Sequence, residues 1–115
     1  MEIKLLVIRT PDISRLAAFY ELLGLKTEYH KHGNSPYHYS GKIGNTILEI
    51  YPLAKGQQEA DKELRLGFEV DSFENVVDLL KEKQLSFVSE PMQTEFGFMA
   101  IVKDPDGRKI ELYKK

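Results

Sequence analysis

Three histidines, His30, His32 and His38, crowd one short stretch of the chain. Imidazole ligates metals and carries protons near neutral pH, so side-chain chemistry is densest there. His30 and His32 are two residues apart and would share one face of a strand, which makes a metal site conceivable. The plainer reading is a polar hairpin, since Lys31 and Gly33 sit among them, and it takes precedence. A Ser-His-Asp arrangement cannot be inferred, because every histidine lies in that hairpin and sequence does not supply the geometry. Cysteine is absent, which excludes disulfides, thiolate zinc sites and a cysteine nucleophile. Neither a GxGxxG nor a Walker loop occurs, which weakens a nucleotide-binding reading. Aromatic residues are the other resource: Tyr29, Tyr37, Tyr39 and Tyr51, with Phe96 and Phe98 further on. Alternating ones such as Tyr37 and Tyr39 can line a flat pocket for a planar ligand, or pack the edge and core of a small domain. Both readings stay open.

The elements that must position these residues follow from periodicity. Ile3, Leu5, Leu6, Val7 and Ile8 predict a buried strand over about 3–9. Pro11-Asp12 marks a helix start, with Asp12 able to accept first-turn amides. Ile13, Leu16, Ala17, Tyr20 and Leu23 recur at helical spacing until Gly24 ends the run. Strands are expected over 25–32, 37–41 and 46–52, separated by Gly33-Asn34-Ser35-Pro36 and Gly44-Asn45. Residues 54–62 are polar and read as a linker. The pattern then restarts. Leu64, Leu66, Phe68 and Val70 alternate with Glu63, Arg65, Gly67 and Glu69, a strand over 63–71 with one apolar face. Ser72 is placed to cap a helix carrying Phe73, Val76, Val77 and Leu80. Short strands follow over 85–88, 96–103 and 108–113, the last two joined by the turn tetrapeptide Asp104-Pro105-Asp106-Gly107.

Strand, helix and three strands thus occur twice, at an offset near sixty residues. We expect one α+β domain over 1–115, made of a module of about 1–53, the linker, and a module of about 63–115. At 115 residues one core suffices without staples. The net charge of −2 leaves no field to draw nucleic acid or an anionic membrane. The N-terminal residues lack the pattern of a secretory signal, and no stretch approaches the ~20 apolar residues of a membrane span. A cytoplasmic protein is expected.

Arg9-Thr10-Pro11-Asp12-Ile13 with Phe19-Tyr20-Glu21-Leu22-Leu23-Gly24-Leu25 resembles the first strand, helix and turn of the glyoxalase/bleomycin-resistance (vicinal-oxygen-chelate) superfamily. Asp104-Pro105-Asp106-Gly107-Arg108-Lys109-Ile110-Glu111-Leu112 is similar to its C-terminal signature. The resemblance implies paired βαβββ modules whose curved mixed sheets enclose a cavity, usually in a homodimer. It leaves the reaction open, since isomerases, dioxygenases and drug binders share the fold.

In metal-dependent members, ligands come from the first and fourth strands of each half. Carried onto this sequence, those positions are Leu5, Glu49, Arg65 and Glu111. Leucine cannot ligate, and a guanidinium stays charged and repels a cation. The resemblance therefore argues against glyoxalase I activity and a bound metal cofactor. Instead it points to Arg65 paired with Glu49, Glu111 or both, or with an anionic ligand. Arg65 should face the cavity, because Leu64, Leu66 and Phe68 face the other way. Tyr51 and Tyr113 follow the two glutamates by two residues and should share their faces. The expected ligand-binding set is Leu5, Glu49, Tyr51, Arg65, Glu111 and Tyr113, with a small molecule as partner. Glu49 and Glu111 could also work as a metal-free acid/base pair, although Arg65 would favour both ionised forms and plain ion pairing is the stronger expectation. The alternative is a lyase, isomerase or dioxygenase holding a divalent ion through Glu49, Glu111 and a further residue, a hairpin histidine among the candidates. A purely structural or regulatory protein is the third reading.

Overall fold

The apolar run near the N-terminus forms β1 (Leu5–Thr10) in a computed structural model of the chain, which describes residues 1–115. Ile8 and Thr10 are buried while Leu5 and Val7 stay exposed, so one face of β1 enters a core and the other remains open. Helix α1 (Ile13–Leu22) buries Leu16, Ala17, Phe19 and Tyr20. Asp12 starts it as expected: its Oδ1 accepts the Arg15 N–H at 3.1 Å. That backbone hydrogen bond holds the Asp12 carboxyl below the usual carboxylate range. Strands β2 (Thr27–His30), β3 (His38–Ile43) and β4 (Thr46–Pro52) complete a sheet of order β1-β4-β3-β2. Only the β1–β4 pair is parallel. Leu48 and Ile50 of β4 are buried, and each such aliphatic side chain contributes roughly 1.5–3 kcal/mol by leaving water. Gly41 on β3 is required by a close approach. A Cβ there would lie 2.7 Å from the Lys26 carbonyl oxygen and 2.7 Å from Leu25 Cγ.

The same order repeats in β5 (Leu66–Val70), α2 (Phe73–Glu82), β6 (Phe87–Thr94), β7 (Gly97–Lys103) and β8 (Lys109–Lys114). Their sheet has the order β5-β8-β7-β6, again with the first and last strands parallel. Helix α2 packs on β8 and buries Phe73, Val76, Val77 and Leu80, while Ala100, Val102, Ile110 and Leu112 are buried on the strands. The fold is therefore α+β with two four-stranded mixed sheets, as the element order predicts, and neither sheet closes on itself. The chain divides into two units, Met1–Glu21 with Leu25–Asp61, and Leu22–Gly24 with Lys62–Lys115. No helix is long and apolar enough to cross a membrane.

Two local expectations change, and the two helices end on different residue types. Ser72 does not cap α2 through its side chain, because its backbone is left-handed (φ 52°) rather than in the extended region a capping residue uses. Helix α2 ends at a non-glycine left-handed residue, Gln84 (φ 62°), where α1 uses Gly24 (φ 108°). Each closes its helix with the next amide: Leu25 N–H donates to the Tyr20 carbonyl (3.1 Å) and Leu85 N–H to the Leu80 carbonyl (3.0 Å). Strand β6 is longer than composition suggests and lies at a sheet edge. Its pairing with β7 shifts between Phe87 and Ser89 and between Ser89 and Met92, around Pro91.

The Asp-Pro-Asp-Gly turn is a buried charge knot. Asp104 Oδ1 accepts the amides of Asp106 (2.9 Å) and Arg108 (3.0 Å). Arg108 Nη1 donates to Asp104 Oδ2 (3.1 Å) and Asp106 Oδ2 (2.9 Å), with all three side chains almost fully buried.

Candidate functional site

Polar chemistry gathers on the face of each sheet opposite the buried aliphatics. In the first unit Glu49 and Tyr51 alternate with buried Leu48 and Ile50 along β4. Val7 and Ser40 flank Glu49 on the neighbouring strands, and His30 pairs with His38 across β2 and β3. His38 lies two residues from Ser40, hence on the Glu49 face. His32 lies beyond β2, where its N–H donates to Ser35 Oγ (2.8 Å) and its carbonyl accepts the Ser35 N–H (2.8 Å), folding the segment back. The three imidazole centroids are 4.7 to 4.9 Å apart. His32 Nε2 is 3.3 Å and His38 Nε2 3.2 Å from the same oxygen, Glu49 Oε2. One donor atom from each of His30, His32, His38 and Glu49 lies within 4.8 Å of all the others.

His38 is fully buried, and its surroundings fix its ring. Nδ1 lies 2.9 Å from the Pro36 carbonyl, which can only accept, so Nδ1 carries the hydrogen. Tyr51 stacks on the ring (4.2 Å, 19°), and the Arg9 guanidinium lies over the Tyr51 ring at 5.1 Å while donating to the Pro52 carbonyl.

In the second unit Glu111 occupies the matching place on β8, opposite Gly67 and Ile101. Arg65, just before β5, donates from Nε to Glu111 Oε2 at 2.7 Å, and the Tyr113 hydroxyl donates to Oε1 at 2.5 Å. The Tyr113 hydrogen bond, then Arg65, hold the Glu111 carboxyl below its usual range. The same bond to Glu111 pushes the Tyr113 phenol up. Two concavities flank this chain of contacts. One, of about 340 Å³, is lined by Gly67, Phe68, Glu69, Phe96, Tyr113 and Lys114. The other, of about 400 Å³, is lined by Lys62, Glu63, Arg65, Lys103, Gly107 and Lys109, a mostly cationic wall.

Of the six residues expected to bind a ligand, Arg65 and Tyr113 both contact Glu111 in the second unit. Tyr51 and Glu49 share the histidine-bearing face of the first, where Leu5 is exposed on β1 beside Ile47. The ion pair formed by Arg65 is with Glu111, whereas Glu49 is engaged by His32 and His38. Sequence reasoning missed the gathering of all three histidines near Glu49, two of them in contact with it, and it missed Arg9. The available signal was the near symmetry of His30 and His38 about the Gly33–Pro36 turn, which sets them opposite one another. Tyr29 stacks on Tyr37 and meets Tyr39 at a tilt, with Tyr39 paired to buried Ile50, away from the Glu49 face.

The sequence pattern of the Glyoxalase/Bleomycin resistance protein/Dioxygenase superfamily matches residues 2–112, and the chain belongs to that superfamily. Solved structures agree on the fold. The hypothetical protein SA1046 from S. aureus superposes with a TM-score of 0.78 at 20% identity, covering 100% of this chain and 94% of its own. TnmS3, an antibiotic binding protein from Streptomyces sp. CB03234, gives 0.79 at 22% identity, covering 99% and 95%. The oxidase ChaP-H2 gives 0.77 at 16% identity, covering 100% and 94%. A comparison with curated proteins returned no match. A binder and an oxidase on one fold leave function to be argued from the site.

Proposed function

We propose that the chain is a small-molecule-binding protein of the glyoxalase/bleomycin-resistance type, in which an arginine has replaced the superfamily's metal ion. The carrying observation is the 2.7 Å contact from Arg65 Nε to Glu111 Oε2. A guanidinium bonded to a ligand-position carboxylate supplies the positive charge an ion would bring, and Leu5 offers no donor atom. The superfamily's ligand set therefore does not fit a metal. Arg65 remains half exposed and opens on the cationic concavity, so its remaining donors suit a carboxylate or phosphate. Through Glu111 it is coupled to Tyr113, which lines the concavity containing exposed Phe96. The ligand class that matches is a planar aromatic molecule bearing an anionic group. A homodimer in the cytoplasm, free of nucleic acid and membrane, completes this reading.

The test is calorimetric binding of a panel of aromatic carboxylates, 1-naphthoate among them, against their neutral alcohol analogues. The acids should bind and the alcohols bind more weakly. Arg65→Ala should cost at least about tenfold in affinity for the acids alone, the usual scale of a charged hydrogen bond. No binding by any acid, or an Arg65→Ala variant that binds them unchanged, overturns the reading.

A further inference from the structure

The first unit holds a site that this reading does not use. We propose that His30, His32, His38 and Glu49 bind one divalent transition-metal ion of the zinc class, at a place built from the β2–β3 hairpin and β4. Only Glu49 belongs to the ligand positions implied by the superfamily, so this is a different centre with a different donor set. Its donors come from one unit and are independent of Arg65 and Glu111.

Three observations converge. The donor atoms lie within 4.8 Å of one another. Ligands about 2.1 Å from a tetrahedral ion stand about 3.4 Å apart. The 3.3 Å and 3.2 Å separations of His32 and His38 from Glu49 are already there. Closing the others requires movement of His32 and His30, whose side chains are 62% and 31% exposed.

The second observation is His38 Nε2. It is buried without a hydrogen-bond partner, yet lies 3.2 Å from a carboxylate oxygen. With the hydrogen on Nδ1 held by the Pro36 carbonyl, a neutral ring leaves an unshared Nε2 lone pair 3.2 Å from the Glu49 carboxylate. Lone pair against carboxylate is unfavourable until a cation stands between them. A backbone carbonyl fixing the far nitrogen is also the usual outer support of a metal-bound histidine. Third, Tyr51 stacks on the His38 ring and Arg9 in turn lies over Tyr51, so the ring plane is held in advance. Three neutral imidazoles and one carboxylate give a nitrogen-rich set of charge −1. Such a set suits zinc, nickel, cobalt or copper and not the all-oxygen preferences of calcium and magnesium.

Tag-free protein stripped with chelator and titrated with Zn²⁺ should bind one equivalent. Co²⁺ should give visible d–d absorption bands characteristic of nitrogen and oxygen ligation. Mg²⁺ and Ca²⁺ should produce neither heat nor a rise in melting temperature. His32→Ala removes an exposed ligand with little risk to folding, and Glu49→Gln removes the charge. Each should weaken Zn²⁺ by more than about 100-fold, beyond the effect of losing an outer support. Glu111→Gln should leave it unchanged, and His32→Ala should leave aromatic-acid binding unchanged. Those two controls separate failure of this site from failure of the Arg65 reading. Absence of a stoichiometric Zn²⁺ complex, or Zn²⁺ affinity indifferent to both His32→Ala and Glu49→Gln, overturns the proposal.

Discussion

Glu49 and Glu111 hold matching places, each on the last strand of its unit beside a parallel first strand, and their company differs completely. Glu111 is met by a permanent cation, Arg65, and a phenol, so both oxygens are already satisfied. Glu49 is met by two imidazoles, His32 and His38, whose Nε2 atoms lie 3.3 Å and 3.2 Å from one and the same oxygen. A repeat thus preserves a backbone position while the surrounding side chains decide whether the carboxylate is neutralised from within or left to recruit a cation. The strand opposite each glutamate also differs, Val7 in one unit and Gly67 in the other. The glycine leaves space against which the Tyr113 ring lies.

Four measurements would break or sharpen the contrast between the units. The largest effect should come from the β7–β8 turn, where the first unit has only Gly44-Asn45. Arg108→Ala strands two buried carboxylates and should lower unfolding free energy by about 3–5 kcal/mol in urea. A loss below about 1 kcal/mol would mean the knot is not what holds that turn. Next, Gly41→Ala should cost about 1–3 kcal/mol, because backbone must move away from the new methyl. Gly67→Ala meets Tyr113 at 3.5 Å, an ordinary contact, and should be far milder. Equal costs would contradict the packing described for the two strands.

The third concerns titration. Hydrogen bonding to Tyr113 favours ionised Glu111 and neutral phenol. Glu111's stabilising contribution is thus present above its ordinary pKa near 4.5 and is lost as pH falls through its lowered folded value. That of Tyr113 is present below 10.0 and is lost as pH rises through its raised value. In Glu111→Gln, one tyrosine of the phenolate absorbance titration should move down, and Tyr113→Phe should delete that same step. An unmoved curve would separate Tyr113 from Glu111 in solution. The smallest effect is at the helix ends. Gln84→Gly should stabilise by about 0.5–1 kcal/mol, giving α2 the left-handed glycine that α1 already has. Destabilisation instead would show that the Gln84 side chain contributes more than its backbone costs.

Much of the fold was legible because period-two and period-3.6 patterns carry direct information about which faces are buried. The strand–helix–three-strand order was readable from turns and apolar runs, whereas Glu49, Arg65 and Glu111 stood out only through the superfamily resemblance. The histidine cluster was not, because it depends on a hairpin register set by the backbone of residues 31–37 rather than by composition. Ser72 misled because residue type suggests a cap while its backbone is left-handed and its side chain makes no capping bond. Strand β6 was hidden by Ser89, Glu90, Pro91 and Gln93, residues that read as loop and become strand only by pairing with β7.

That irregular strand has a bearing on solubility. The outer edge of a regular β-strand offers an uninterrupted row of donors and acceptors on which another chain can polymerise. Pro91 withdraws one donor from β6, and the two register shifts throw the others out of line. The longest edge of the second sheet is consequently a poor template for fibre growth, so contacts between copies of the protein are left to side chains or to other edges.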